Sequence, residues 1–381
     1  MHDERQTEHR DGTGPRRGPG PGPRRRSLLA GLPLAALGAA AAGCTDDGAD
    51  GTGGGKGGRT GGLPVQLRGA EPPVHAQFIA LDAAAGPGGP GRDAVAGLLK
   101  DLDAAVEGSD VTAGVALGAG AFAAGSAARP RRLRPMPAFT GDLLDDARTH
   151  GDLLLHLAGP SRGDVREAVD RILARAPGWR VRWRAAGFRD DSRTAGGRGL
   201  TRDPFGFTEG HGNPAADPET AGRTLVRAGD GEPGWAVGGS YQVVRVIRLA
   251  TALWDRDTVH EQERIIGRRR DGRWLDGTPA TTRPDFGTDP QGRLTPLDAH
   301  VRRAAPDRRD PPPLVRRSYA YDSGPDDRGL LFSCFQRDLA AGFETVQRRL
   351  AGEAMTQYQL TVGGGYFFVP PPGDAWPAAL G

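Results

Sequence analysis

Short strand-like runs and helix-period segments alternate along this chain in the order β-α-β-β-α-β, and they do so twice. Residues 75–82 read as a strand, and after a Gly/Pro turn residues 93–106 show the apolar spacing of an amphipathic helix. Residues 152–157 read as a second buried strand. Asp164 is expected to cap a helix that carries Ala168, Val169, Ile172 and Leu173 on one face and stops at Pro177-Gly178. A strand follows at 179–183. The second half restarts with a strand at 240–249, long polar loops and a buried strand at 329–335, then a helix at 343–354 and a strand at 366–369. This order predicts an α+β fold of two ferredoxin-like units in place of a doubly wound parallel sheet.

Ahead of that pattern lies a stretch that cannot build a core. Residues 1–43 hold seven Arg against four acids, which leaves 43 basic and 43 acidic residues for the rest of a chain whose formal charge is +3. The folded part is neutral, so nucleic acid is not expected as a partner. Arg24-Arg25-Arg26-Ser27-Leu28-Leu29 opens an apolar, Ala-rich run that ends at Gly43-Cys44, too short for a membrane span. The run resembles a twin-arginine signal, a route that exports folded, cofactor-loaded proteins. Two readings of Cys44 stay open: a lipidated membrane tether, or cleavage nearby. Residues 44–71 are expected to be a disordered Gly-rich linker. Cys334 is the only other cysteine, so removal or lipidation of Cys44 leaves no partner for a disulfide.

Several chemistries find no support in the residues. His260-Glu261-Gln262-Glu263-Arg264 begins like a zinc-binding helix, but Arg264 stands where the second His must be. There is no Cys pair at zinc spacing, no nucleophile elbow around Ser240 and no phosphate-binding Gly-Lys-Ser/Thr loop. Two segments remain. Phe205-Gly206-Phe207-Thr208-Glu209-Gly210-His211-Gly212-Asn213-Pro214 presents one acid on a glycine-flanked turn, a backbone suited to close approach. Thr295-Pro296-Leu297-Asp298-Ala299-His300 carries an isolated His, followed downstream by Leu314-Val315-Arg316-Arg317. Taken singly, each has a plainer explanation: a Gly-rich loop, and a packed or surface His.

In combination and in order, these segments resemble the Dyp-type (dye-decolourising) haem peroxidases, particularly their exported, deferrochelatase-like members. The resemblance runs from Pro72 to Pro372. It includes the Pro/Phe/Gly-Asp stretch from Arg134 to Asp142, Gly151 to Leu155, and Gly206 to Gly210 in place of the family's Gly-x-x-Asp-Gly signature. Gly239 to Arg245, Trp254-Asp255-Arg256, Gln262-Glu263, Ile266-Gly267-Arg268, Pro296 to His300, Arg316-Arg317, Gly329 to Phe332 and Gln347 to Leu350 then follow in family order.

The resemblance implies one haem b per chain, bound through iron by His300 with Glu353 as the acid behind it, in the place of an Asp. It implies Glu209 as the proton shuttle for peroxide and Arg316 as the stabiliser of the departing oxygen. Gly206 and Gly210 would let the loop approach the haem, and Arg245 would meet a propionate or else form a surface salt bridge. The expected activity is reduction of hydrogen peroxide with oxidation of dye-like or phenolic donors; the alternative is haem binding for iron acquisition, beside an iron-uptake permease. Trp254, Tyr319 and Tyr321 would be core residues or a relay to the surface. The family further implies a homodimer, in the cell envelope or outside the cell. Three departures stand out: Glu209 where the family has Asp, His156 where Gln is usual, and no His-Gln-Ala-Gly segment before the first strand. The expected organisation is a signal peptide at 1–43, the linker at 44–71, an N-terminal unit at 72–200, a haem-binding unit at 201–373 and a tail at 374–381.

Overall fold

The computed structural model describes residues 63–69, 71–84, 90–189, 202–214, 216–307, 312–373 and 376–380. The leader, Cys44, residues 44–62 of the expected linker and part of the tail lie outside the described residues. In the first half, β1 (His75–Ala83), α1 (Arg92–Val106), β2 (Thr112–Gly118), β3 (Leu153–Gly159), α2 (Arg162–Arg175) and β4 (Trp179–Phe188) follow one another. Their strands lie in the order β2-β3-β1-β4, as a ferredoxin-like unit requires.

The second half repeats the plan with longer insertions. α3 (Asp217–Thr224) precedes β5 (Ser240–Leu249). Three short helices then intervene: α4 (Thr251–Trp254), α5 (Val259–Ile266) and α6 (His300–Ala304). β6 (Val315–Arg316), β7 (Tyr319–Asp322), β8 (Arg328–Gln336), α7 (Thr345–Leu350) and β9 (Gln359–Val369) complete the unit. Two cross-pairings join the halves: β2 with β9 at Leu117↔Phe368, and β4 with β7 at Phe188↔Ala320. Because β8 also pairs with β5, eight of the nine strands close on themselves, with the two-residue β6 paired only to β8, and the sheet has few free edges.

The closed sheet explains why its strands read as continuous apolar runs. In β1, Phe78 and Ala80 face one core while Ile79 and Leu81 face the other, under the helices, and all four are fully buried. The α1 stripe is Val95, Leu98, Leu102 and Ala105; the α2 stripe is Val165, Ala168, Val169 and Ile172. Ser161, not Asp164, caps α2: its side chain accepts from the Asp164 amide at 3.3 Å, and Asp164 sits in the first turn, where a carboxylate meets the helix dipole. The segment that fails as a zinc motif is α5, closed at its start by a Thr258/Glu261 capping box and at its end by left-handed Gly267.

Two expected boundaries shift for a physical reason. The linker ends before residue 71, since Leu63 and Leu67 are buried in the core and Arg317 donates to the Leu67 and Gly69 carbonyls at 3.1 and 2.5 Å. The expected 343–354 helix is a π-turn (Ala340–Glu344) running into α7, which stops at Leu350; Gly352 then takes a positive φ. Trp254, Tyr319 and Tyr321 are all core residues. Among the described residues no helix is long and apolar enough to cross a membrane.

Candidate active site

His300 opens α6, directly after the buried Ala299. Its Nδ1 lies 2.8 Å from Glu353 Oε2, and the Glu353 side chain is fully enclosed. Glu353 is in the turn after α7, not in a helix, and Gln359 Nε2 adds a long contact of 3.4 Å to its other oxygen. Burial alone pulls the His300 pKa down, but the charge and hydrogen bond of Glu353 outweigh it and the net shift is upward. The ring keeps 30% of its surface open, and Nε2 has no protein partner among the described residues. The next residue, Val301, packs with Ile247, Leu330 and Met355 on a cluster of Phe205, Phe207, Leu249, Trp254, Ile266 and Tyr358.

The acid-bearing loop owes its shape to residues that its sequence pattern underplays. Asp203 Oδ1 accepts from the amides of Phe205 at 3.0 Å and Phe207 at 2.9 Å, and Gly206 returns an amide to the Asp203 carbonyl. Gly206 and Gly210 have φ of +84° and +83°, values that a side chain would strain. Asn213 fastens the loop to β6: its Nδ2 donates to the Arg316 carbonyl at 2.8 Å and its Oδ1 accepts from the Arg316 amide at 3.1 Å. The Arg316 guanidinium donates to the His211 carbonyl at 2.5 Å, and the His211 ring is tied to Thr208 Oγ1 at 2.8 Å. The loop that carries Glu209 and the strand that carries Arg316 are thus tied to each other through Asn213 and the His211 carbonyl.

Electrostatics link these groups to His300. Burial lowers the pKa of the Arg316 guanidinium, against the pull of Glu209. Arg316 in turn lowers the His300 pKa and Asp203 raises it. Asp203 itself is pushed up to about 7, first by burial and then by the nearby Glu209 charge, against the amide of Phe207. His300, Arg316, Glu209 and Asp203 are thus linked as electrostatic neighbours. A cleft of 340 Å³ lined by Asp257, Glu261, Arg264, Asp298 and Tyr358 includes none of them and is not this site.

Two findings depart from the sequence reading. Arg245 does not offer a free guanidinium to a propionate. It is buried and donates to Asp142 at 2.5 and 3.1 Å and to Thr361 Oγ1 at 2.7 Å, between the rings of Phe139 and Phe343. A buried arginine stripped of such a carboxylate costs about 3–5 kcal/mol, so this pair serves the fold. Arg189, which carried no motif, reaches the acid loop from the end of β4, with Nη1 3.8 Å from Glu209 Oε2. A lone Arg after an alternating strand offers no signal of that contact.

Comparison with known proteins agrees with this architecture. The N-terminal domain of Dyp-type peroxidases matches residues 82–189 and the C-terminal domain matches residues 200–374. The deferrochelatase of Escherichia coli K12 is 38% identical over 254 residues, 64% of this chain and 60% of that protein. A Yersinia pestis deferrochelatase shows the same identity over 255 residues. The chain thus spans about three-fifths of the length of these curated relatives. Among solved structures, a DyP-type peroxidase from Cellulomonas bogoriensis is 31% identical with a TM-score of 0.72, covering 85% of this chain and 96% of that one. One from Streptomyces coelicolor is 30% identical with a TM-score of 0.72, covering 84% and 93%. By sequence, topology and site arrangement, the chain belongs to the Dyp-type peroxidase family.

Proposed function

We propose that this protein is a haem-dependent peroxidase that reduces hydrogen peroxide and oxidises bulky aromatic donors such as dyes or phenols. The observation that carries this reading is the His300–Glu353 pair, a ring held through Nδ1 by an enclosed carboxylate with Nε2 left for a metal. That donor set fits a haem iron: one neutral imidazole, strengthened from behind, with the charge of Arg316 acting on it and that of Glu209 acting on Arg316. Haem, when bound, supplies the iron at which peroxide is reduced and through which donor electrons pass.

The chain's own residues do the rest. Glu353 accepts the Nδ1 proton of His300 and fixes the ring's tautomer and orientation. Glu209 takes the proton from one peroxide oxygen and returns it to the other, and the Arg316 guanidinium stabilises the charge on the oxygen that leaves. Gly206 and Gly210 let the loop backbone turn tightly beneath that acid. Asp203 and Asn213 keep the loop in place. Glu209→Gln is expected to lower peroxide turnover about 10²–10⁴-fold without loss of haem. A glutamine variant as active as the parent would remove the shuttle from the mechanism.

The leader supports export by the twin-arginine route, with Cys44 either lipidated or lost on processing. A second reading is favoured by the 38% identity to deferrochelatases: haem binding for iron acquisition, with little peroxide turnover. Haem-loaded protein that turns over no peroxide at any acidic pH, yet yields iron and free porphyrin, selects this reading over the first.

A further inference from the structure

The acid at position 209 is one methylene longer than the Asp of the family signature, and a longer side chain has more ways to miss its target. The structure surrounds it with two cations from different halves of the molecule. Arg316 approaches from β6, and Arg189 from the end of β4. Arg189 is itself well held. Its side chain is 7% exposed, Nη1 donates to the Ser318 carbonyl at 2.9 Å, and Nη2 meets Glu71 at 3.2 Å. Its amide is tied to the Val74 carbonyl at 2.9 Å. The segment that supplies Glu71 is anchored in turn, through Leu67 in the core and through Arg317 on the Leu67 and Gly69 carbonyls.

We propose that Arg189 is a positioning residue for Glu209: it fixes the carboxylate of the longer side chain and holds it anionic, ready to accept a proton from peroxide. The N-terminal half thereby completes a site that its partner half builds. Among the described residues, the charged and titratable groups near Glu209 include Arg189 and Arg316 on the cationic side and Asp203 on the anionic side, with His211 on the same loop. Glu71 and Arg317 act from behind Arg189. A neighbouring cation favours the ionised carboxylate, so loss of Arg189 shifts the protonation of Glu209 to higher pH.

This inference rests on the peroxidase reading for its consequence, but its test does not. The full haem-loaded chain is compared as parent, Arg189→Leu, Arg189→Lys and Arg189→Gln. The last can still reach the Ser318 carbonyl without charge, and it carries the test if the leucine variant does not fold. The infrared carboxyl band of Glu209, assigned by difference from Glu209→Gln, is titrated in the absence of peroxide. The rate of reaction with peroxide is then followed over the same pH range. In the uncharged variants the band and the acid limb of the rate are expected to move up together by about one unit. That shift leaves about ten-fold less reactive enzyme below the limb, and lysine restores most of it. A folded leucine or glutamine variant whose Glu209 band titrates as in the parent overturns the inference, even if it is less stable. A parent that shows the band shift on substitution but no peroxide turnover overturns the peroxidase reading and leaves the positioning intact.

Discussion

Two histidines, one in each half of the molecule, show how far surroundings decide what a side chain can do. His156, on β3, stacks on Phe78 at 4.3 Å and meets Tyr319 edge-on, and among the described residues neither ring nitrogen has a hydrogen-bond partner. Burial pushes its pKa down to about 4. His300 keeps 30% of its side chain open, and the Glu353 carboxylate holds Nδ1 and raises its pKa. The first ring is an apolar filler with two stranded nitrogens. The second is an oriented ring with one nitrogen committed and one left for a metal under the proposed function. What separates them is a single buried acid.

Removing that acid is the strongest way to break the contrast. Glu353→Gln is expected to weaken haem binding about 10–100-fold, because the ring loses its orienting acceptor and part of its donor strength; haem titration followed by absorbance checks this. Unchanged affinity would mean that Glu353 packs beside His300 without tuning it.

Asp203 sharpens the comparison, since it is an acid held by backbone amides, with no ion pair among the described residues. Its pKa rises from 3.8 to about 7 on folding, so between those values the folded chain holds a proton that the unfolded chain has released. Its contribution to stability is therefore lost as pH rises through that window. Asp203→Asn keeps an oxygen for the amides of Phe205 and Phe207 but cannot ionise. Denaturant unfolding should show the variant gaining on the parent as pH rises from about 4 to 7. A gap that stays constant with pH would place the Asp203 carboxyl in contact with water.

The smallest expected effect is at His156. Its folded pKa of about 4 lies below the ordinary 6.5, so on acidification through that interval the unfolded chain takes up a proton that the folded chain refuses. The parent therefore loses stability as pH falls from 6.5 to 4. His156→Gln, which places there the residue usual in the family, should lose less, and at neutral pH it should match or exceed the parent by about 1 kcal/mol. Thermal unfolding of both proteins across that interval is the check, and equal losses on acidification would contradict the burial account.

The contrast between the two rings also marks what the sequence could reveal. The strand at 240–249 and the start of the helix near 92 were legible because apolar period and turn residues are local properties. His300, Glu209 and Arg316 were legible as members of an ordered set of motifs. Contacts between distant positions were not. Arg245 meets Asp142 from 103 positions away, and Arg189 meets Glu209 across the seam between the two halves. No local pattern distinguishes those arginines from the many surface arginines nearby. Asp203 was overlooked because a turn-capping Asp and a buried proton-holding Asp look alike until burial is known.

We propose His300 as the residue that would hold the iron of a bound haem. The most direct test is the absorption spectrum of the purified, haem-reconstituted chain after gel filtration, parent against His300→Ala. The account predicts a ferric haem band that travels with the parent and is lost from the variant. A variant that retains the parent's band, at the same position and intensity, would contradict it.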